Sequence, residues 1–145
     1  MLREERLATR RNWLARALVA TVLADLIFLD PDNGIECKSV GKSRLKGPKY
    51  AFWDEIDSFA GSGKSVVVYH HLGRSCSWRE QVASLREEFQ KKMPNYGLSA
   101  LTYRRGTGRV YFVVAALKHK RLLRSRLVEF LASPWKNFFE GDQVA

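Results

Sequence analysis

Asp30, Asp32, Asn33 and Glu36 bring four oxygen-bearing side chains into one short loop. A cluster of that kind can hold a hard cation. Asn33-Gly34 also favours the positive φ of a tight turn, which makes these two residues turn formers. Asp30 is harder to explain that way. It follows the apolar run Leu26-Ile27-Phe28-Leu29, and a carboxylate at the end of a buried strand needs water or a partner. Asp32 with Glu36-Cys37-Lys38 imitates the acid and Glu-x-Lys of Mg²⁺-dependent nucleases, where two carboxylates hold the ion and a lysine orients water. In those enzymes the acid and the Glu-x-Lys sit on neighbouring strands, and a Gly-containing turn does not build that geometry. His70 and His71 end a second apolar run, Ser65-Val66-Val67-Val68-Tyr69, and strand alternation sends them to opposite faces. One of them therefore reaches any crevice at that end of the sheet, as a proton shuttle or a base contact. Gly61-Ser62-Gly63-Lys64-Ser65 copies the end of a phosphate-binding loop. However, Ser58 stands where the first Gly belongs, and a helix precedes and a strand follows, the reverse of the order such a loop needs. It reads as a helix-to-strand turn. Cys37 and Cys76 lack metal-ligand spacing, so no metal site is expected.

The elements that must position these groups follow from periodicity. Leu7, Leu14, Leu18 and Val22 fall on one face of a helix over residues 2–23, with Arg3, Arg6, Arg10, Arg11 and Arg16 on a solvated basic face. Leu26–Leu29, four apolar residues in a row, predicts a strand covered on both faces. A long loop over residues 30–49 carries Pro31, Pro48 and three glycines, and loops of this length are usually functional or disordered. A short helix over residues 50–60 places Phe52, Ile56 and Phe59 on one side. Tyr50 and Trp53 can stack on a base, and helical spacing makes Trp53 the better core residue. After the strand ending in His70, residues 74–92 contain an amphipathic helix with Val82, Leu85 and Phe89 inward. Strands over 98–103 and 110–117 form an antiparallel hairpin through Gly106-Thr107-Gly108. A last helix over 120–131 is stopped by Pro134. An aromatic tail over 134–145, with Trp135, Phe138 and Phe139, is expected to dock back on the domain.

With 145 residues, 46% of them hydrophobic, the chain has material for one folded domain spanning 1–145. The formal net charge of +10 favours a polyanionic partner, and nucleic acid is the usual one. Arg104, Arg105 and Arg109 flank the hairpin turn, with Lys118, Lys120, Arg121, Arg124 and Arg126 close behind, as a surface that contacts phosphates without reading sequence. Two cysteines are too few for a disulfide framework and suggest reduced thiols. Residues 1–16 lack the apolar core of a signal peptide, and no apolar run approaches the ~20 residues of a membrane span. The expected setting is the cytoplasm, with no membrane partner.

The order helix, strand, helix, strand, helix, hairpin, helix predicts an α/β fold with a mixed sheet of two parallel strands and a C-terminal antiparallel hairpin. That order, with Asp30-Pro31 at the end of Leu26–Leu29, resembles the second half of the Rossmann-like class I S-adenosylmethionine-dependent methyltransferase fold. The stretches Phe28-Leu29-Asp30-Pro31-Asp32-Asn33-Gly34, Lys49-Tyr50, Trp53-Asp54-Glu55 and Val68-Tyr69-His70-His71 also resemble a group of bacterial and phage proteins related to that fold. The resemblance spans residues 14–115. It implies that Asp30 and Pro31 grip a substrate amine, with His70 or His71 nearby. Amino-methylating members carry a second Pro and an aromatic residue after the first Pro; here Asp32 and Asn33 stand there, so Asp30 and Pro31 are carried over as substrate-pocket residues and the stacking role is not. No glycine-rich loop follows a strand near residue 1. The half that holds S-adenosylmethionine is thus not among these residues, and the chain is expected to be a fragment or a shortened relative.

The expected function is that of a methyltransferase-like domain acting on or binding nucleic acid. Asp30, Pro31, His70 and His71 are its catalytic candidates. Asp32, Asn33, Tyr50, Arg104, Arg105 and Arg109 are its substrate contacts. The alternative is a non-catalytic nucleic-acid-binding or interaction module derived from that fold, and a weaker one is the Mg²⁺-dependent nuclease. A strand built for the middle of a larger sheet also leaves an apolar edge, so the chain is expected to dimerise through Leu26–Leu29 or to cover that edge with the first helix.

Overall fold

A computed structural model describes residues 1–143 as an α/β domain. The helices are α1 (Arg3–Ala20), α2 (Trp53–Ala60), α3 (Trp78–Lys92) and α4 (Lys120–Ala132). The strands are β1 (Leu26–Leu29), β2 (Gly34–Ile35), β3 (Tyr50–Ala51), β4 (Ser65–His71), β5 (Gly97–Tyr103), β6 (Arg109–Ala115) and β7 (Phe139–Gln143). Five of the strands form one mixed sheet in the order β1-β4-β6-β5-β7, and β2 pairs with β3 in a small parallel ribbon.

The parallel pair is β1 with β4, in register Leu29 to Val68. It is joined through α2, the long connection that a parallel pair requires. β5 and β6 make the antiparallel hairpin, and β6 enters between β4 and β5. The hairpin loop is five residues, 104–108, rather than the three expected, with Gly106 at φ 67°. Two further corrections concern elements. Residues 50–51 are a strand, not the first turn of α2, because Glu36 N–H bonds Ala51 carbonyl at 2.8 Å and draws this segment into the ribbon. The tail docks as expected but goes further: it adds β7 to β5, so the main sheet has five strands and not four. Residues 144–145 of that expected tail lie outside the described residues.

The inner face of the sheet carries Val66, Val68, Phe112, Val114, Leu98 and Ala100. It is covered by Ile56 and Phe59 of α2 and by Val82 and Phe89 of α3. Trp53 meets Phe89 edge to face at 4.6 Å, the expected core role. Leu14, Ala17 and Leu18 of α1 close the same core. α4 lies on the outer face over β7, where Phe130 packs edge to face against Phe139 at 5.1 Å.

β1 is not covered on both faces. Ile27 is buried, but Leu26 and Phe28 on the outer face are 48% and 55% exposed. Among the described residues β1 is one of the two edge strands of the main sheet, β7 being the other. An apolar run by itself does not report which of its faces has a partner.

Candidate functional site

The carboxyl end of β1 opens into a cavity of about 600 Å³, within the range of small-molecule sites. Trp13, Phe28, Leu29, Asp30, Pro31 and Tyr50 line it. Its walls are held from α1. Arg10, on the supposedly solvated basic face, reaches across to the buried Glu55 with a two-pronged bond, Nε to Oε1 at 2.5 Å and Nη2 to Oε2 at 2.7 Å. The same guanidinium donates to the carbonyls of Gly47 and Tyr50. Arg6 and Arg3 donate to the carbonyl and hydroxyl of Ser43, and Lys42 pairs with Asp54. These arginines therefore tie the long 36–49 segment to the domain. A planar guanidinium suits that task, since its donors fan out in one plane.

The acidic loop divides by partner. Glu36 Oε1 accepts from Trp53 N–H at 2.8 Å and so satisfies the N-terminus of α2. Asp32 pairs with Lys49 at 3.4 Å. Asn33 acts through its backbone, donating to Lys49 carbonyl and accepting from His71 N–H. None of these three lines the cavity. Asp30 does, and its carboxylate makes no hydrogen bond or ion pair among the described residues. Tyr50, the third expected contact, joins Asp30 and Pro31 there.

His70 and His71 part as alternation requires. His70 turns inward, and its Nδ1 accepts the Ile35 N–H at 3.0 Å, which leaves the ring proton on Nε2. Burial, reinforced by the neighbouring charge of His71, lowers its pKa to about 4. It is held as a neutral acceptor for the Ile35 N–H. His71 is exposed on the outer face, 3.5 Å from the Tyr69 hydroxyl. Burial raises the pKa of Tyr69, with Arg109 opposing and Tyr111 and Asp30 adding to the rise. Asp30, Tyr69 and Arg109 thus share one corner of the sheet.

Arg104 and Arg105 are drawn to the tail. Arg104 pairs with Glu140 at 3.0 Å, and Arg105 lies 4.6 Å from the Phe138 ring. Arg109 remains on the outer face, over Tyr103 at 5.9 Å. Of the three hairpin arginines, it is the one beside β4.

No family model, curated protein or solved structure matches this chain. The chemistry of the cavity and its surroundings therefore has to carry any functional reading. No group of three or more His, Cys, Asp or Glu side chains among the described residues is arranged to hold a metal ion. Cys37 and Cys76 are exposed free thiols. No helix among them is long and apolar enough to cross a membrane.

S-adenosylmethionine does not fit the residues present. Its holder in the resembled fold is a glycine-rich turn between a strand and a helix. The positive-φ glycines here are Gly34 in β2, Gly63 before β4 and Gly106 in the hairpin, and none sits at a strand-to-helix turn on the cavity.

Trp13, Phe28 and the Arg10–Glu55 pair escape the sequence reading. The helical pattern places Trp13 off the apolar stripe, and only the fold reveals that β1 lies beside it. A Ser65–His119–Asp25 alignment also emerges, with Ser65 Oγ 2.9 Å from His119 Nδ1 and His119 Nε2 3.9 Å from Asp25. Ser65 is fully buried, and its Oγ accepts from Ala116 N–H, so the alignment joins β4 to the start of α4 and has no access to a substrate. Lys64 is likewise structural: its ammonium donates to the carbonyls of Val22 and Ala24 just past α1.

Proposed function

We propose that this protein is a methyltransferase-like domain that binds nucleic acid, and that the cavity at the end of β1 receives an unstacked base. The observation that carries the reading is Asp30. It is a carboxylate with no hydrogen bond or ion pair among the described residues, at the mouth of a cavity that also presents the rings of Trp13 and Tyr50. A carboxylate beside aromatic faces suits the exocyclic amine of a base sandwiched by stacking. Pro31 lies next to it in the cavity lining, and its carbonyl is the second acceptor in this reading.

The strand directions lend support. β1 and β4 run parallel, β6 is inserted antiparallel, and β5 again runs with β4. That arrangement is compatible with the second half of the methyltransferase sheet, in which the substrate loop leaves the strand equivalent to β1. The net charge of +10 supplies the phosphate attraction. Because no cradle for S-adenosylmethionine is found among these residues, the reading is one of binding, and methyl transfer is not assigned to them.

The test is titration with nucleoside monophosphates, followed by the fluorescence of Trp13 against a Trp13→Phe control. Quenching that disappears in Trp13→Phe and in Asp30→Ala supports the reading. Unchanged fluorescence with adenine-, cytosine-, guanine- and uracil-bearing nucleotides alike would rule it out.

A further inference from the structure

The outer face of the sheet is covered along β7 and at the start of β4 and the end of β6, where Ser65, Val113 and Ala115 are buried. Over β7, Leu131 of α4 sits on Gly141, so closely that a Cβ at Gly141 would overlap it. The corner formed by Phe28 of β1, the end of β4 and the start of β6 stays partly open, with His71 and Arg109 exposed. Its surface is aromatic. Phe28 lies 6.4 Å from Tyr111 with the rings only 20° from parallel, and Tyr111 lies 5.6 Å from Tyr69. Phe28 is 55% exposed, and the two tyrosines are half-buried, with the Tyr111 ring also 6.3 Å from that of Phe139. Aromatic rings on an open sheet face are the surface on which unpaired bases stack.

The borders of this face are basic. Arg109 lies at the end of the sheet near Asp30, acting on Tyr69. At the opposite end Lys118 follows β6 and is 61% exposed, with Arg121 on the first turn of α4. Asp25, 3.8 Å from Lys118, and Asp30 are the acidic groups on the same rim. Phe28 belongs both to this face and to the wall of the cavity. The two surfaces are therefore continuous.

From this continuity we infer that the open face is a track for single-stranded nucleic acid, which stacks bases on Phe28, Tyr111 and Tyr69 and leads one base into the cavity. The inference rests on the base-binding reading of the cavity and narrows its substrate class to single strands. A duplex keeps its base faces stacked internally and has nothing to offer these rings. Arg109 and Lys118 would contact the backbone at the two ends, adding salt dependence without sequence preference.

The experiment separates track from cavity. Fluorescence anisotropy of labelled single-stranded RNA and DNA twelve-mers reads the track, and Trp13 quenching by nucleoside monophosphates reads the cavity. Tyr69→Leu and Tyr111→Leu keep apolar bulk and remove the ring. Each is expected to weaken twelve-mer binding roughly tenfold, the size of one lost stacking contact, and to leave mononucleotide quenching unchanged. Tyr69→Phe and Tyr111→Phe, which keep the ring, are expected to bind as the parent does, and they control for a folding defect. Twelve-mer binding that ignores both leucine variants, with quenching intact, would overturn the track and spare the cavity. Equal or tighter binding of a duplex would also overturn the track. Loss of quenching by mononucleotides in the parent protein, with tyrosine-dependent twelve-mer binding, would sustain the track and overturn the cavity reading.

Discussion

The Ile35 backbone N–H donates to Nδ1 of His70 over 3.0 Å, and through this bond the ribbon that carries the cavity loop is pinned to β4 of the main sheet. β2 has only two residues and pairs only with β3. Besides the burial of the Ile35 side chain in the core, its hold on the main sheet is this bond and the one from His71 N–H to Asn33 carbonyl, among the described residues. A ring nitrogen that accepts a backbone N–H must be unprotonated, so the attachment depends on pH.

The sign follows from the lowered pKa. In the unfolded chain His70 takes up a proton near the ordinary 6.5, whereas in the folded protein it does so only near about 4. The stabilisation is complete above about 6.5 and is lost as pH falls toward about 4; below that value this group adds no further slope. Urea unfolding at pH 7 and pH 5 should show a parent protein that loses about 2 kcal/mol more than His70→Gln does. Equal losses would mean that His70 does not couple to folding.

Gly34 meets His70 from the other side. Its φ is 114°, and a Cβ built there would lie 2.8 Å from the His70 Cα. Gly34→Ala combines backbone strain with a clash against main chain and is expected to cost about 2 kcal/mol or more. A cost under about 0.5 kcal/mol in the same urea series would contradict the packing described.

Arg10 and Glu55 form the second anchor. Their side chains are 13% and 3% exposed, and the carboxylate also accepts from Phe52 N–H at 3.2 Å. Arg10→Met leaves the buried carboxylate with the Lys42 ammonium, 4.0 Å away, as its remaining counter-charge among the described residues and is expected to cost about 3 kcal/mol. Glu55→Gln added to that variant should recover part of the loss, because it removes the buried charge. A double variant no more stable than the single one would show that the pair matters through packing instead.

Asp30 supplies the opposite case. It is exposed and has no protein partner among the described residues, so Asp30→Ala should change stability by less than about 0.5 kcal/mol. Nucleotide-dependent quenching of Trp13 should nevertheless disappear. A destabilised variant, or one that still binds, would place the carboxylate in the wrong role.

β1 leaves an apolar strand edge without a strand partner among the described residues, and Leu26 and Phe28 add exposed side chains to it. Such edges pair. Sedimentation velocity should show concentration-dependent self-association that Leu26→Lys abolishes. A parent protein that stays monomeric over the whole accessible concentration range would argue against pairing at this edge.

Local pattern was enough to find every principal helix and the strands of the main sheet up to the hairpin. Apolar spacing of 3.6 or 2 is a property of a short segment, and it survives whatever the rest of the chain does. The same holds for Asp30 and Pro31, because a polar residue that closes an apolar run marks a strand end from sequence alone. Partners are a different matter. Asp30, Asp32 and Glu36 look alike in the sequence, yet Lys49 engages Asp32, the start of α2 engages Glu36, and Asp30 is left without such a partner among the described residues. His70 and His71 are identical neighbours, and the register of β4 buries one and exposes the other. Arg10 resembles the other arginines of α1 until the fold brings Glu55 beneath it, 45 residues away. Sequence determined which segments are helix and strand, and that a charge would stand at the end of β1. Tertiary structure alone decided which charges are neutralised and which ring faces stay open, because both depend on residues that meet only once the chain has closed on itself.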